Sequence, residues 1–424
     1  MLGAWLKRLE TQHPKAMDLG LDRLREVWRA LGAPWPGAQV VTVAGTNGKG
    51  SAVATLRALA LAQGLRVGDT TSPHLHRFNE RIQLQGEPAN DAQIVAAFER
   101  IDIARGTLTL TYFETAILAA LLIMADAALD LAILEVGLGG RLDAVNIIDA
   151  DLALLTPVDL DHQSWLGSTR EAIGLEKSGV FRAGRPVIIA DPNPPASVLE
   201  RVASLACPSA RWGLDFGVRA SGRGSEAFVT GFEQHLAWPL HAPLPVAPPS
   251  FLGALQAWAA LGYPLTGATL DEALVMAPPP GRQQWRSLQE QALLFDVAHN
   301  PHAAAFLAER LEAPLDLAVF GCYADKDAEG MFQALAPKVR NWLFVPTPEP
   351  RGQASEALAA RLAPLCASAG QPFEVLPSLS AEALQGAVLA SRAKGHKRVG
   401  FLGSFSVASA AEAALLPVKP GVGS

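Results

Sequence analysis

The sequence predicts an α/β protein of two domains: a larger N-terminal domain with a phosphate-binding loop on a parallel sheet, then a smaller Rossmann-like domain. Three observations carry this reading. Residues 39–65 pass from an apolar, β-branched run through a glycine-rich turn into an Ala- and Leu-rich run. From Val40 to Ala190 strand-like and helix-like segments alternate, as parallel strands joined by covering helices require. Proline-rich stretches at Pro239–Pro249 and Pro278–Pro280 interrupt that pattern, and it resumes after the second, which divides the chain into 1–280 and 281–424. At 424 residues the chain is also longer than one core usually spans.

Gln39 to Ala44 reads as a buried parallel strand, and Ser51 to Leu65 as a helix ending at Gly64. Between them lies Gly45-Thr46-Asn47-Gly48-Lys49-Gly50-Ser51. Strand, glycine turn and helix N-terminus together hold phosphates, because backbone N–H groups converge on the anion and the helix dipole favours negative charge. Lys49 adds a mobile charge toward the terminal phosphates, and Ser51 a hydroxyl for phosphate or a Mg²⁺ shell. The spacing departs from GxxxxGK[ST], since Val43 stands where the first Gly would be.

Thr115 to Val136 is almost wholly apolar, interrupted by Asp126 and Asp130. A buried helix (Thr115 to Ala128) followed by a strand (Leu131 to Val136) accounts for it better than a membrane span. Glu135 ends that strand just before Gly137-Leu138-Gly139-Gly140-Arg141-Leu142-Asp143; it either holds Mg²⁺ or caps the glycine loop. Strands at Leu152–Thr156 and Pro186–Ala190 follow. After the first comes Asp159-Leu160-Asp161-His162, where His162 is either a ligand or an ordinary histidine. Ser72-Pro73-His74 is equally open, since Ser-Pro often only starts a turn. Lys177 sits in Gly174-Leu175-Glu176-Lys177-Ser178-Gly179, before a strand, and by itself reads as a helix C-terminal lysine near its Gly cap. Residues 210–240 mix Gly, Ser and aromatics without a helical period, which predicts an antiparallel excursion.

In the second domain, Ala292–Asp296, Leu315–Gly321, Trp342–Val345 and Arg398–Leu402 read as strands, and His302–Leu311 and Ser355–Ala367 as helices. Asp296-Val297-Ala298-His299-Asn300-Pro301 follows the first strand with a polar density that a structural turn does not need. Arg282, in Pro280-Gly281-Arg282 of the linker, either swings to a nucleotide or pairs with an acid.

Half the residues are hydrophobic, 18% are charged and the net charge is −6. With no basic run, nucleic acid is not an expected partner. The N-terminal residues lack the apolar centre of a signal peptide, and no membrane association is expected. Three separated cysteines (Cys207, Cys322, Cys366) form no metal spacing or disulfide framework, so a reducing cytoplasm is the expected setting.

In order and spacing these segments resemble the folylpolyglutamate synthase and dihydrofolate synthase family of the Mur ligase superfamily. The segments are Asp18-Leu19-Gly20-Leu21, GTNGKGS, Ser72-Pro73-His74-Leu75, Thr111-Tyr112-Phe113-Glu114, Leu134 to Ala144, Leu160-Asp161-His162, Glu176-Lys177, Pro280-Gly281-Arg282 and DVAHNP. The resemblance implies ATP-dependent ligation of L-glutamate to dihydropteroate and to the γ-carboxylate of reduced folates, through an acyl phosphate. It implies ATP at Asn47, Gly48, Lys49, Gly50, Ser51, Ser250, Arg282 and Asp296, and two Mg²⁺ sites served by Ser72, Glu135, His162 and a carbamylated Lys177. The pterin side would be Asp18, Leu19, Gly20, Leu21, Thr111, Tyr112, Phe113, Glu114, Leu142, Asp143 and Ala144. Lys49, Lys177 and His299 would be the catalytic set, the enzyme a monomer. The chain departs from the family where Ser250 stands for an Asn, where Gly321-Cys322-Tyr323-Ala324 replaces a Gly-rich lead-in, and where Ser406 stands for a His. Alternatives are a folylpolyglutamate synthase without the second activity, another Mur-type amide ligase, or a non-catalytic nucleotide switch. A ligase acting on nucleotide-linked wall precursors would carry a further domain before the loop, and only 44 residues precede Gly45.

Overall fold

The strand ahead of the glycine turn, β1 (Gln39–Ala44), is central to an eight-stranded sheet. The others are β2 (Val67–Thr70), β3 (Ile82–Leu84), β4 (Glu87–Pro88), β5 (Leu131–Glu135), β6 (Leu152–Leu155), β7 (Val187–Ile189) and β8 (Ser209–Arg211), in the order β4-β3-β2-β5-β1-β6-β7-β8. This computed structural model describes residues 1–13, 18–222, 224–276, 278–348 and 351–416. The chain divides into two units, Met1–Ala277 and Pro278–Ser424.

β1 runs parallel to both neighbours, with Val43 opposite Glu135 and Ala44 opposite Leu155. The C-terminal ends of β5, β1 and β6 therefore share one edge, where the chain passes to opposite sides of β1, the switch point at which open α/β sheets bind ligands. Alternation along β1 explains why both faces are dry. Val41 and Val43 pack with Leu56, Leu59, Phe251 and Trp258, while Val40 and Ala44 share the opposite layer with Leu118, Leu122 and Phe98. The apolar stretch resolves into the helix Tyr112–Asp126 and β5. That helix is buried from Glu114 to Met124, and it packs against the helices Leu2–Gln12 and Asp91–Arg105. Among the described residues no helix is long and apolar enough to cross a membrane.

Residues 210–240 split. β8 joins the edge of the main sheet, and β9 (Phe216–Ser221), β10 (Gly224–Val229) and β11 (Leu236–Pro239) make a separate antiparallel sheet on the helix Pro248–Ala260. The second unit is a six-stranded sheet of β12 (Gln284–Leu288), β13 (Gln291–Asp296), β14 (Leu317–Phe320), β15 (Trp342–Phe344), β16 (Phe373–Val375) and β17 (Arg398–Leu402), ordered β12-β13-β17-β14-β15-β16. All neighbours are parallel except β12, an antiparallel edge strand. Two apolar layers, one with Leu294, Phe320 and Trp342 and one with Leu293, Phe295 and Phe401, cover its faces.

Candidate active site

The phosphate-loop helix, Lys49–Ala62, begins two residues earlier than the sequence suggested, because Gly48 caps it in the left-handed region (φ 88°, ψ 1°). A Cβ on Gly48 would lie 2.1 Å from Ser250 Oγ, so the loop is pressed against the first turn of the helix Pro248–Ala260. That hydroxyl is buried and has no hydrogen-bond partner among the described residues. On the other side the loop is tied to the end of β6. Thr46 N donates to Pro157 O at 2.8 Å, and Thr46 Oγ1 donates to Asp159 O at 3.0 Å while accepting from Asp159 N at 2.9 Å. Lys49 Nζ curls back onto Gly45 O (3.1 Å) and Thr46 O (3.3 Å).

Glu135 leaves β5 buried, its Oε2 accepting from Ser72 N at 3.0 Å. Its carboxylate oxygens lie 3.9 and 4.0 Å from where a Cβ of Gly50 would stand, so it faces the first turn of the phosphate-loop helix. His162 takes φ 50° and caps the short helix Gln163–Leu166, with its N–H donating to Asp161 Oδ1 at 2.8 Å. Glu135 thus ends β5, and Ser72 and His162 follow the C-terminal ends of β2 and β6. Among the described residues no three His, Cys, Asp or Glu side chains form a ready-made metal cage.

Lys177 ends the helix Arg170–Lys177, buried, and its Nζ donates to Gly45 O at 2.8 Å. Lys49 and Lys177 therefore share one carbonyl oxygen. Burial first, and the Lys49 charge second, lower the Lys177 pKa to about 7, with Asp161 and Asp143 opposing. A one-turn 3-10 helix (Ser178–Val180) follows, and β7 starts only at Val187, so this lysine does not directly precede a strand. The glycine loop lies against it: a Cβ on Gly140 would be 2.7 Å from Lys177 O. Asp143 is buried and uses its carboxylate within that loop, accepting from Leu138 N (2.8 Å) and Val145 N (3.1 Å). Burial pushes it up to about 6, against those backbone bonds and Lys49. Leu142 is partly exposed and Ala144 buried beside it.

Thr111 and Glu114 form a capping box on the helix Tyr112–Asp126: Thr111 Oγ1 accepts from Glu114 N (3.2 Å) and Glu114 Oε2 from Thr111 N (2.8 Å). Glu114 also pairs with Arg23 (Nη2 to Oε1, 2.9 Å), which in turn binds Asp18. One ion-pair chain, buried only at Glu114, thus joins the segment Asp18–Leu21, where Leu19 and Gly20 are partly exposed and Leu21 buried, to Thr111–Glu114. Phe113 packs on the glycine loop, since a Cβ on Gly137 would meet its Cζ at 2.5 Å. Tyr112 packs edge-on to Phe78 at 6.0 Å, beneath Arg81, whose Nε donates to His74 Nδ1 at 2.8 Å. Burial and then the Arg81 charge lower the His74 pKa to about 4. Sequence reasoning passed over Arg23 and Arg81. An Arg five residues after Asp18 was a usable signal for the first.

In the second unit Asp296 ends β13 buried, accepting from Gln283 N and Ala298 N, each at 2.8 Å. Burial raises its pKa and Arg282 opposes. The Arg282 guanidinium lies 6.0 Å from the Phe405 ring, and the His299 ring 6.1 Å from the same ring, so these residues form one cluster. Asn300 caps the helix Pro301–Arg310, its Oδ1 accepting from Ala303 N at 2.9 Å.

A phosphate loop at the switch point of a parallel sheet, ahead of residues 281–405 that match the Mur ligase glutamate ligase domain, defines a ligase of the Mur type. Dihydrofolate synthase/folylpolyglutamate synthase of Escherichia coli is 40% identical over 367 residues, 85% of each chain. The structure of Escherichia coli FolC in complex with DHPP and ADP superposes with a TM-score of 0.87 at 36% identity, covering 96% of both chains. The bifunctional folylpolyglutamate synthase/dihydrofolate synthase of Yersinia pestis, complexed with AMPPNP and Mn ion, gives 0.85 at 38% over 98% of both. This chain belongs to the dihydrofolate synthase/folylpolyglutamate synthase family.

Proposed function

We propose that this chain uses ATP to join L-glutamate to dihydropteroate, forming dihydrofolate, and to the γ-carboxylate of reduced folates. The observation that carries the reading is the convergence of Lys49, Glu135 and Lys177 on the turn from Gly45 to Gly50, in a chain of this family. ATP lies with its phosphates over the N–H groups of Asn47 to Ser51. Ser250, Arg282 and Asp296 are further nucleotide contacts. The segments Asp18–Leu21, Thr111–Glu114 and Leu142–Ala144 serve the pterin side.

The residues present suit a divalent cation. A buried carboxylate, Glu135, faces the helix start that would carry phosphate, and such an acid is stabilised by a cation shared with the phosphate oxygens. Ser72, Glu135 and His162 would hold one ion, which supplies charge neutralisation at the transferring phosphoryl group. Lys177 would serve a second once carbamylated. Its neutral Nζ adds to CO₂ with loss of a proton, replacing a buried +1 with −1; a pKa near 7 keeps that neutral form abundant.

The acceptor carboxylate attacks the γ-phosphorus, the β–γ bridging oxygen leaves with ADP, and an acyl phosphate results. The neutral amine of glutamate attacks the acyl carbon, phosphate departs and the amine proton is lost. Lys49 and the loop N–H groups neutralise charge that builds on the phosphoryl oxygens. Holding the reactants in register supplies ~7–11 kcal/mol of barrier reduction. Water must be excluded from the acyl phosphate. His299 acts from within the second unit's cluster with Arg282 and Phe405. The reading extends to a reducing cytoplasm, which suits three buried free cysteines, and to a monomer, which light scattering tests.

Phosphate release measured with dihydropteroate and reduced folates in parallel decides. Turnover should require both acceptor and glutamate. Release that ignores glutamate would sink the ligase reading, and turnover with reduced folates alone would leave a folylpolyglutamate synthase without the second activity.

A further inference from the structure

Arg81 closes a 3-10 turn (Phe78–Arg81) that leads into β3. Its carbonyl accepts from Thr71 N at 3.1 Å, and Thr70 of β2 is opposite both Ile82 and Leu134. Arg81 therefore stands at the same sheet edge as Glu135, across β2 from it. Its guanidinium lies 5.6 Å from the Tyr112 ring and 5.9 Å from Phe78, and Nε donates to His74 Nδ1. Among the described residues neither Nη nitrogen makes a hydrogen bond or ion pair.

Both Nη groups face solvent rather than a protein acceptor, so the outer fork is open to an anion, and a partner that takes both gains two parallel charge-assisted hydrogen bonds. Burial depresses the Arg81 pKa, with Tyr112, Glu135 and Glu80 opposing, which marks the group as drawn out of water. The phosphate loop has its own cation in Lys49, and the negative Glu135 also faces that loop, so a second phosphate contact is not what the Arg81 fork lacks. A planar carboxylate matches the fork. Tyr112 opens a 15-residue helix whose N-terminal dipole adds to the attraction, and Phe78 and Tyr112 give the neighbourhood an aromatic lining.

We propose that Arg81 binds the acceptor's carboxylate, the one the reaction activates, through its two Nη groups, with His74 as the positioning residue that holds Nε. The proposal rests on the ligase reading above.

Equilibrium binding to the full chain tests it, with dihydropteroate and its carboxamide as probes, beside a non-hydrolysable ATP analogue. The wild type should prefer the carboxylate. Arg81→Gln should weaken carboxylate binding roughly ten- to hundredfold, leaving carboxamide and nucleotide affinities unchanged. Arg81→Lys, which keeps charge but loses the fork, should fall between, and it decides by the same ratio if Arg81→Gln does not fold. His74→Phe should raise KM for the acceptor with little change in kcat, and His74→Gln, which keeps an acceptor for Nε, should recover most of it. Equal losses for carboxylate and carboxamide, or no loss, would overturn the proposal. A wild type that binds both probes but releases no phosphate would overturn the ligase reading instead.

Discussion

Gly48→Ala is the substitution whose cost the structure specifies best. Alanine at φ 88° pays about 1–2 kcal/mol for the left-handed region. Its Cβ would also stand 2.1 Å from Ser250 Oγ, on a residue only 1% exposed, so the serine or its helix must move. Overpacking of that kind costs about 1–3 kcal/mol. The sum, on the order of 2–5 kcal/mol, should lower the first unit's calorimetric transition by roughly 3–9 °C. Ser250→Ala alone removes a buried hydroxyl with no partner and should be neutral or slightly stabilising. In the double variant the nearest remaining contact is Ser250 Cβ at 3.4 Å, so the overpacking disappears and only the backbone strain is left. The two substitutions should therefore couple favourably by about 1–3 kcal/mol. Strict additivity, or a Gly48→Ala protein as stable as wild type, would refute the account of the loop wedged against the helix Pro248–Ala260.

Four more outcomes are expected. Lys49→Ala should reduce glutamate ligation by about 10²–10³-fold with an unchanged far-UV spectrum, and near-normal ligation would remove Lys49 from the phosphate site. In CO₂-free buffer Lys177 binds a proton more weakly folded (about 7) than at its ordinary 10.5, so the unfolded chain carries the extra proton between those pH values. Stability should rise with pH across that window by up to about 1.4 kcal/mol per unit, and Lys177→Met should flatten the slope; equal slopes would count against the buried amine. The same lysine should gain the mass of CO₂ in native mass spectra, and Lys177→Ala should lose activity and regain part of it with short carboxylates. Glu135→Gln should weaken Mn²⁺ binding in the presence of AMPPNP, read by electron paramagnetic resonance, and unchanged affinity would exclude this carboxylate as a ligand.

What could be read from the sequence was what depends on neighbours along the chain. The strand–glycine–helix unit at 39–62 is local, and β-branched residues followed by Gly48 and an Ala-rich run specify it without help from elsewhere. The polar run at 296–300 was legible for the same reason, though its last residue, Asn300, proves to be the cap of the helix Pro301–Arg310. Arg81 was illegible because its meaning comes from pairing across β2 and from a helix that begins thirty residues later. The edge strands β4 and β12 escaped because exposed positions such as Trp285 and Arg286 break the apolar pattern a buried strand shows, and β3 because it is only three residues long. Thr111 and Glu114 were read as pocket residues, yet their spacing is also a capping signature, and the side chains satisfy it.

The chain of contacts from Asp18 through Arg23 to Glu114 also governs how this protein can be recombined with its relatives. Glu114 has a side chain only 5% exposed, and Arg23 reaches it across 91 residues of sequence. A chimera whose crossover falls between positions 23 and 114 inherits the cation from one parent and the anion from the other. If the donor lacks the arginine, the hybrid strands the buried Glu114 carboxylate, a defect worth up to about 3–5 kcal/mol, while a stranded Arg23, partly open to solvent, costs less. Junctions placed ahead of Asp18 or beyond Glu114 carry the pair intact. Shuffling libraries aimed at changing the acceptor should therefore move residues 18–114 as a single block.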